Sequence, residues 1–140
     1  FRMIIAVPAK GFLGDCISKK TKPQGKLVSV SQGEVFDVAV DINPESNTYK
    51  QWVGITLNAS NHLQFYVPPG YAHGLLVLSD TADFQYKCSN FYDPSDEGCV
   101  RWNDPEIGIE WPLKTSLDCL RRMLGHPSYH VNNQYRFWMQ

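Results

Sequence analysis

Pro68-Pro69-Gly70-Tyr71-Ala72-His73-Gly74-Leu75-Leu76-Val77-Leu78-Ser79 is the stretch that decides the fold. Two prolines and a glycine turn the chain. The run 74–79 that follows is strand-sized, and Leu75 to Leu78 is an unbroken aliphatic stretch. It falls far short of the roughly 18 apolar residues that a membrane-spanning helix needs. Working outward, 63–67 reads as the strand before this turn and 82–89 as the strand after it. Upstream, 26–30 and 35–41 flank Gln32-Gly33-Glu34, and two β-rich runs around a glycine turn predict a hairpin. Asn43 to Asn47 reads as a loop, 52–57 as a strand and Asn58 to Asn61 as a turn. Short strands at this spacing predict an all-β sandwich or barrel. Residues 1–25 give no clear pattern. Leu117, Leu120, Met123 and Leu124 fall at helical spacing and predict a short C-terminal helical segment.

Composition narrows the function. The chain has 140 residues, 43% hydrophobic and 13% aromatic, enough for one domain, 1–140, with one core and too apolar for disorder. Thirteen Lys and Arg against fourteen Asp and Glu give a net charge of −1, which offers no field to grip a phosphate backbone. No nucleic-acid and no membrane partner is expected. Cys16, Cys88, Cys99 and Cys119 lack metal or disulfide spacing and read as free thiols in a reducing, cytoplasmic compartment. The chain starts at Phe1 without a charged-then-apolar leader, and is read as a fragment or a processed chain rather than a secreted one.

Few residues here can carry chemistry. Pro68 to Gly74 fits the Pro-x-Gly-x-x-His pattern that opens the second half of a cupin barrel, with His73 carried to the barrel mouth. Such mouths are common ligand sites, although a hydrogen-bonded structural histidine fits the residue equally well. A metal cupin needs an earlier histidine pair, and 26–41 contains none, so no metal is expected at His73. On 82–89, period 2 places Phe84, Tyr86 and Cys88 on one face, either core or cavity. A phenol can donate a proton to a carbanion, though most strand tyrosines only pack. Lys26 opens a strand directly after Gly25. An inward lysine stabilises an enolate oxygen; most lysines are merely solvated. Phe91 and Tyr92 either stack on a base or cap the barrel.

A longer set of motifs carries a resemblance. It comprises Gln24-Gly25-Lys26-Leu27-Val28, Gly33-Glu34-Val35-Phe36-Asp37-Val38-Ala39-Val40-Asp41, Pro68 to Ala82, Tyr86-Lys87, Arg101-Trp102-Asn103-Asp104-Pro105 and Ile109-Glu110-Trp111-Pro112-Leu113. Together these closely resemble the dTDP-4-dehydrorhamnose 3,5-epimerase family, metal-independent cupins of dTDP-L-rhamnose biosynthesis. The resemblance is clear over about residues 24–113 and lacks the family's N-terminal part. It implies a cupin-type antiparallel jelly roll, a homodimer, a dTDP-sugar substrate and no cofactor. It also implies epimerisation at C3 and C5 of dTDP-4-dehydro-6-deoxy-D-glucose by proton abstraction beside the C4 ketone. Lys26 would stabilise the enolate, Tyr86 would be the acid and His73 would contact the sugar or oxyanion. Tyr92 matches the tyrosine that stacks on thymine, and Glu97 an acidic substrate contact across a loop one residue shorter.

Two departures stand beside these matches. The family's histidine base lies in Arg-Gly-Leu-His-aromatic-Gln, ten residues before the matched lysine, where this chain has Cys16. Its aspartate partner lies in Leu-Ser-x-x-Asp, twelve residues after the matched Trp111, where this chain has Met123. A shifted reading frame accounts for both. The last base of each codon, taken with the first two of the next, gives GG, GA, TG, AT, TC and AA across 14–19. With suitable preceding bases these spell Arg, Gly, Leu, His, Phe and Gln. The same shift turns Ile4-Ile5 into Asp-Asn, and Cys119, Leu120 and Met123 into Leu, Ser and Asp. Residues of about 2–20 and 114–125 are therefore read as out of frame. The rival is divergence, leaving an impaired or inactive nucleotide-sugar-binding cupin. A mono-epimerase of a related deoxysugar pathway is a further alternative. The tail from His130 onward matches nothing.

Overall fold

The computed structural model of the chain describes residues 2–7, 13–19, 23–90 and 97–112. Strands β1 (Arg2–Val7), β2 (Leu13–Lys19), β3 (Lys26–Gln32), β4 (Glu34–Asp41), β5 (Trp52–Asn58), β6 (Gln64–Val67), β7 (Tyr71–Val77), β8 (Ala82–Cys88) and β9 (Glu97–Val100) form two antiparallel sheets. One sheet runs β1-β8-β3-β6 and the other β5-β4-β7-β2-β9. This is the all-β, cupin-type sandwich that the strand pattern and the resemblance imply. The expected C-terminal helical segment lies outside the described residues.

One pairing expectation is overturned. The runs around Gly33 are not a hairpin, because β3 and β4 belong to different sheets. Alternation marks a strand but does not name its partner. The β3–β4 turn is a corner between layers, and among the described residues only β4 and β5 are consecutive and paired. The corner is tied to the one between β7 and β8. Glu34 donates its N–H to Ser79 Oγ at 2.8 Å, and Leu78 N–H donates to the Glu34 carbonyl at 2.9 Å. Gly33 has φ +77°, and a Cβ there would lie 2.1 Å from the Thr81 carbonyl oxygen. Only glycine has both the backbone freedom and the missing atom.

The two faces of β4 show how the layers pack. Val35 joins Val28, Val30, Leu57, Val77, Ala82 and Phe84 in the core between the sheets. The alternate residues Val38 and Val40 face outward, yet they are fully buried, because Val100, Ile107, Ile109 and Trp111 pack over them with Ala72. Trp111 also meets Phe36 edge-on at 6.0 Å and donates its indole N–H to the Trp102 carbonyl. The Arg101-to-Pro112 motif thus covers the outer face of the second sheet. Its other anchor is an ion pair between Lys50 and Glu106. In the β4–β5 loop, buried Asp41 accepts hydrogen bonds from the Ser46 and Thr48 hydroxyls, both at 2.6 Å, and from the Asn43 N–H.

Candidate functional site

The interior between the sheets is apolar toward Val30 and Val77 and becomes polar along the strands. On the first sheet, Lys26 pairs across with Cys88 and Val28 with Tyr86. Directly opposed residues share a face. Lys26, Tyr86 and Cys88 therefore share the interior face of Val28 and Phe84. Tyr86 is 8% exposed and continues the core cluster. Tyr86 and Lys26 both make polar or ring interactions, the phenol ring lying 6.1 Å from Phe84.

The second sheet contributes His73, whose register partner on β4 is Ala39. On the same face, one step along β4, stands Asp37. His73 Nε2 and Asp37 Oδ1 share a hydrogen bond of 2.8 Å, with Asp37 wholly buried and His73 7% exposed. The imidazole also stacks on Phe84 at 6.2 Å and 26°. Since Phe84 touches Tyr86, the His–Asp pair of one sheet and the phenol of the other line a common interior.

Of the residues singled out in the sequence, the structure brings Lys26, His73 and Tyr86 into this interior. Tyr92 lies outside the described residues, as does Met123. Glu97 opens β9 at the register position opposite Lys19, and Cys16 lies on β2 opposite Val100. Ile17, next to Cys16, pairs with His73. Asp37 escaped the sequence reading. Its signal was there, a lone acid in the apolar run Val35-Phe36-Asp37-Val38-Ala39-Val40, alternating with residues of the opposite face. Its partner is 36 residues away. A shallow depression of about 180 Å³ also lies against the first sheet, lined by Leu27, Ser29, Gln64, Gln85, Tyr86 and Lys87. All but Tyr86 alternate with the interior residues of their strands, so this depression belongs to the outer face. No cluster of three or more potential metal ligands occurs among the described residues.

The described residues thus form a cupin-type sandwich in which a His–Asp pair, a phenol and a lysine face one interior. The comparisons narrow this class. The profile of the family described as dTDP-4-dehydrorhamnose 3,5-epimerase matches residues 14–124, and the chain belongs to that family. The match extends beyond both ends of the stretch whose motifs first suggested it. The dTDP-4-dehydrorhamnose 3,5-epimerase of Salmonella typhimurium is 58% identical over 90 residues, 64% of this chain and 49% of that protein. The one from Methanothermobacter thermautotrophicus is 45% identical over 109 residues, 78% of this chain and 59% of that protein. The chain thus spans about half the length of the curated relatives it matches. Among solved structures, the dTDP-6-deoxy-D-glucose-3,5-epimerase of Legionella pneumophila, in complex with dTDP-4-keto-L-rhamnose, superimposes with a TM-score of 0.79 at 46% identity. That superposition covers 82% of this chain and 61% of the other.

Proposed function

We propose that the chain epimerises dTDP-4-dehydro-6-deoxy-D-glucose at C3 and C5, giving dTDP-4-dehydro-L-rhamnose. The observation that carries this is the placement of Tyr86 on one sheet and His73 on the other, both facing one interior that Lys26 also faces. Inverting a carbon beside a ketone requires a proton to leave one face and another to arrive on the opposite face. Negative charge gathers meanwhile on the ketone oxygen, where a fixed cation stabilises it. Tyr86 supplies the returning proton, Lys26 the cation, and His73 a polar contact to the sugar. Tyr92 stacks on the thymine and Glu97 contacts the substrate. All steps are proton transfers between side chains and sugar, so no cofactor is invoked. The working unit is a cytoplasmic homodimer of one cupin domain per chain, residues 1–140.

The test is incubation with dTDP-4-dehydro-6-deoxy-D-glucose in D₂O. Deuterium at both C3 and C5 is the expected result; deuterium at one carbon would make the chain a mono-epimerase. A second reading has its own support, since Cys16 and Met123 stand where the family has its base and the partner of that base. A nucleotide-sugar binder would take up no deuterium yet gain thermal stability with dTDP.

A further inference from the structure

We propose that Gln24 is a specificity-determining residue of the interior site, its Oε1 accepting a hydrogen bond from a hydroxyl of the bound hexose. The proposal rests on the nucleotide-sugar reading above and deepens it. Gln24 is 7% exposed, and its Oε1 is buried without a hydrogen-bond partner among the described residues. A buried acceptor left unpaired costs free energy and calls for a donor. The amide cannot turn over to find one. Its Nε2 donates to the Asn90 carbonyl, and a flipped amide would set two oxygens against each other there.

The local backbone explains why this glutamine faces inward. Lys26 on β3 pairs with Cys88 on β8, and the same register continued sets Gly25 against Ser89 and Gln24 against Asn90. Ser89 N–H donates to the Gly25 carbonyl at 2.9 Å, and Gly25 N–H donates to Ser89 Oγ, also at 2.9 Å. The Gln24 amide supplies the next rung. Two side chains thus prolong the ladder past Lys26. A Cβ on Gly25 would lie 2.9 Å from Tyr66 Oη and 3.2 Å from Pro69 Cδ. Tyr66 is the register partner of Leu27 and is 56% exposed, on the outer face of the sheet. The side chain that Gly25 lacks would therefore point outward. Gln24, one residue away, takes the interior face with Lys26.

Position selects the donor. Along this face Val28 lies in the core, Lys26 follows, and Gln24 comes next. Two residues of strand advance about 6–7 Å, close to the width of one pyranose ring. With Lys26 at the C4 oxygen, Gln24 stands within reach of the same ring. The thymidine lies beyond two phosphates. Phosphate oxygens are acceptors, as Oε1 is, so the pyrophosphate offers it no donor. A hydroxyl of the hexose fits, and C2 carries one that epimerisation leaves in place.

The experiment crosses variants with ligands, with dissociation constants read by calorimetry on the full chain. The ligands are dTDP-D-glucose, dTDP-2-deoxy-D-glucose, dTDP and 3′-deoxy-dTDP. In wild type, loss of the C2 hydroxyl should weaken binding about 3–10-fold. In Gln24→Leu the same loss should change affinity by less than about twofold, because the acceptor is already gone. The ratio between dTDP and 3′-deoxy-dTDP should be the same in both proteins. Gln24→Met, apolar and of similar length, serves if Gln24→Leu does not fold. A glutamine that only holds Asn90 would weaken all four ligands alike when replaced. Equal C2 ratios in wild type and variant therefore overturn the proposal, as does wild-type binding indifferent to the C2 hydroxyl. A change confined to the ribose pair also overturns it, by moving the donor to the ribose. In each of these outcomes the wild type still binds, and the nucleotide-sugar reading survives. A wild-type chain that binds none of the four ligands overturns that reading and the proposal together.

Discussion

The two halves of the interior face the same two sheets but are held by different physics. Around Val28, Val30, Val35, Leu57, Val77 and Ala82 every side chain is apolar and buried, and stability scales with the area removed from water. Toward Lys26, Asp37, His73 and Tyr86 the same strands carry groups whose burial costs free energy unless each finds a partner. Phe84 belongs to both halves, packing in the core while stacking on His73 and touching Tyr86. The apolar half is a packed floor, and the polar half sets the His73–Asp37 pair and the Tyr86 phenol on opposite layers.

Substitutions can break this contrast. Phe84→Ala removes the shared ring and should cost about 3–5 kcal/mol in urea unfolding, with loss of dTDP-induced stabilisation. Tyr86→Phe deletes one oxygen, and should lower deuterium uptake by about 10²–10⁴-fold while unfolding stability changes by less than about 1 kcal/mol. Equal stability losses in the two variants would erase the distinction between floor and site. At the corner behind the floor, Gly33→Ala adds a Cβ 2.1 Å from a backbone oxygen at φ +77°. It should cost about 2–4 kcal/mol in the same assay, from backbone strain and overpacking together.

The smallest effect lies in the loop outside both halves. Ser46 and Thr48, and then Asn43, hold the Asp41 carboxyl below its ordinary value of 3.8. A lowered value in the folded chain means that stability is present above about pH 4 and is lost as the pH falls through the folded value. Asp41→Asn should therefore be about 1–2 kcal/mol less stable than wild type at neutral pH, with the gap closing in acid. Unfolding curves at pH 7 and pH 3 measure it.

The strands from residue 26 onward were legible because alternation survives wherever one face is packed and the other is not, as on β8. Partnership was not legible. Nothing in Gln32-Gly33-Glu34 distinguishes a hairpin from a corner, since glycine supplies the same φ to both. The strands β1 and β2 showed no readable pattern at all. In the site, Tyr86 and Lys26 could be placed by period and by motif, and His73 by its turn. Asp37 could not, because a lone acid in a strand normally faces water. Here the 100–112 segment covers the outer face, so both faces of β4 are buried. The acid is tolerated inside because of a histidine that sequence distance conceals.

The most direct test of the central claim, that the polar interior is the working site, is residue-resolved NMR during titration with dTDP. The account predicts the largest shifts at Lys26, His73, Tyr86 and Cys88, with the outer-face residues Ser29, Gln64 and Gln85 unmoved. Shifts confined to that outer face would contradict it.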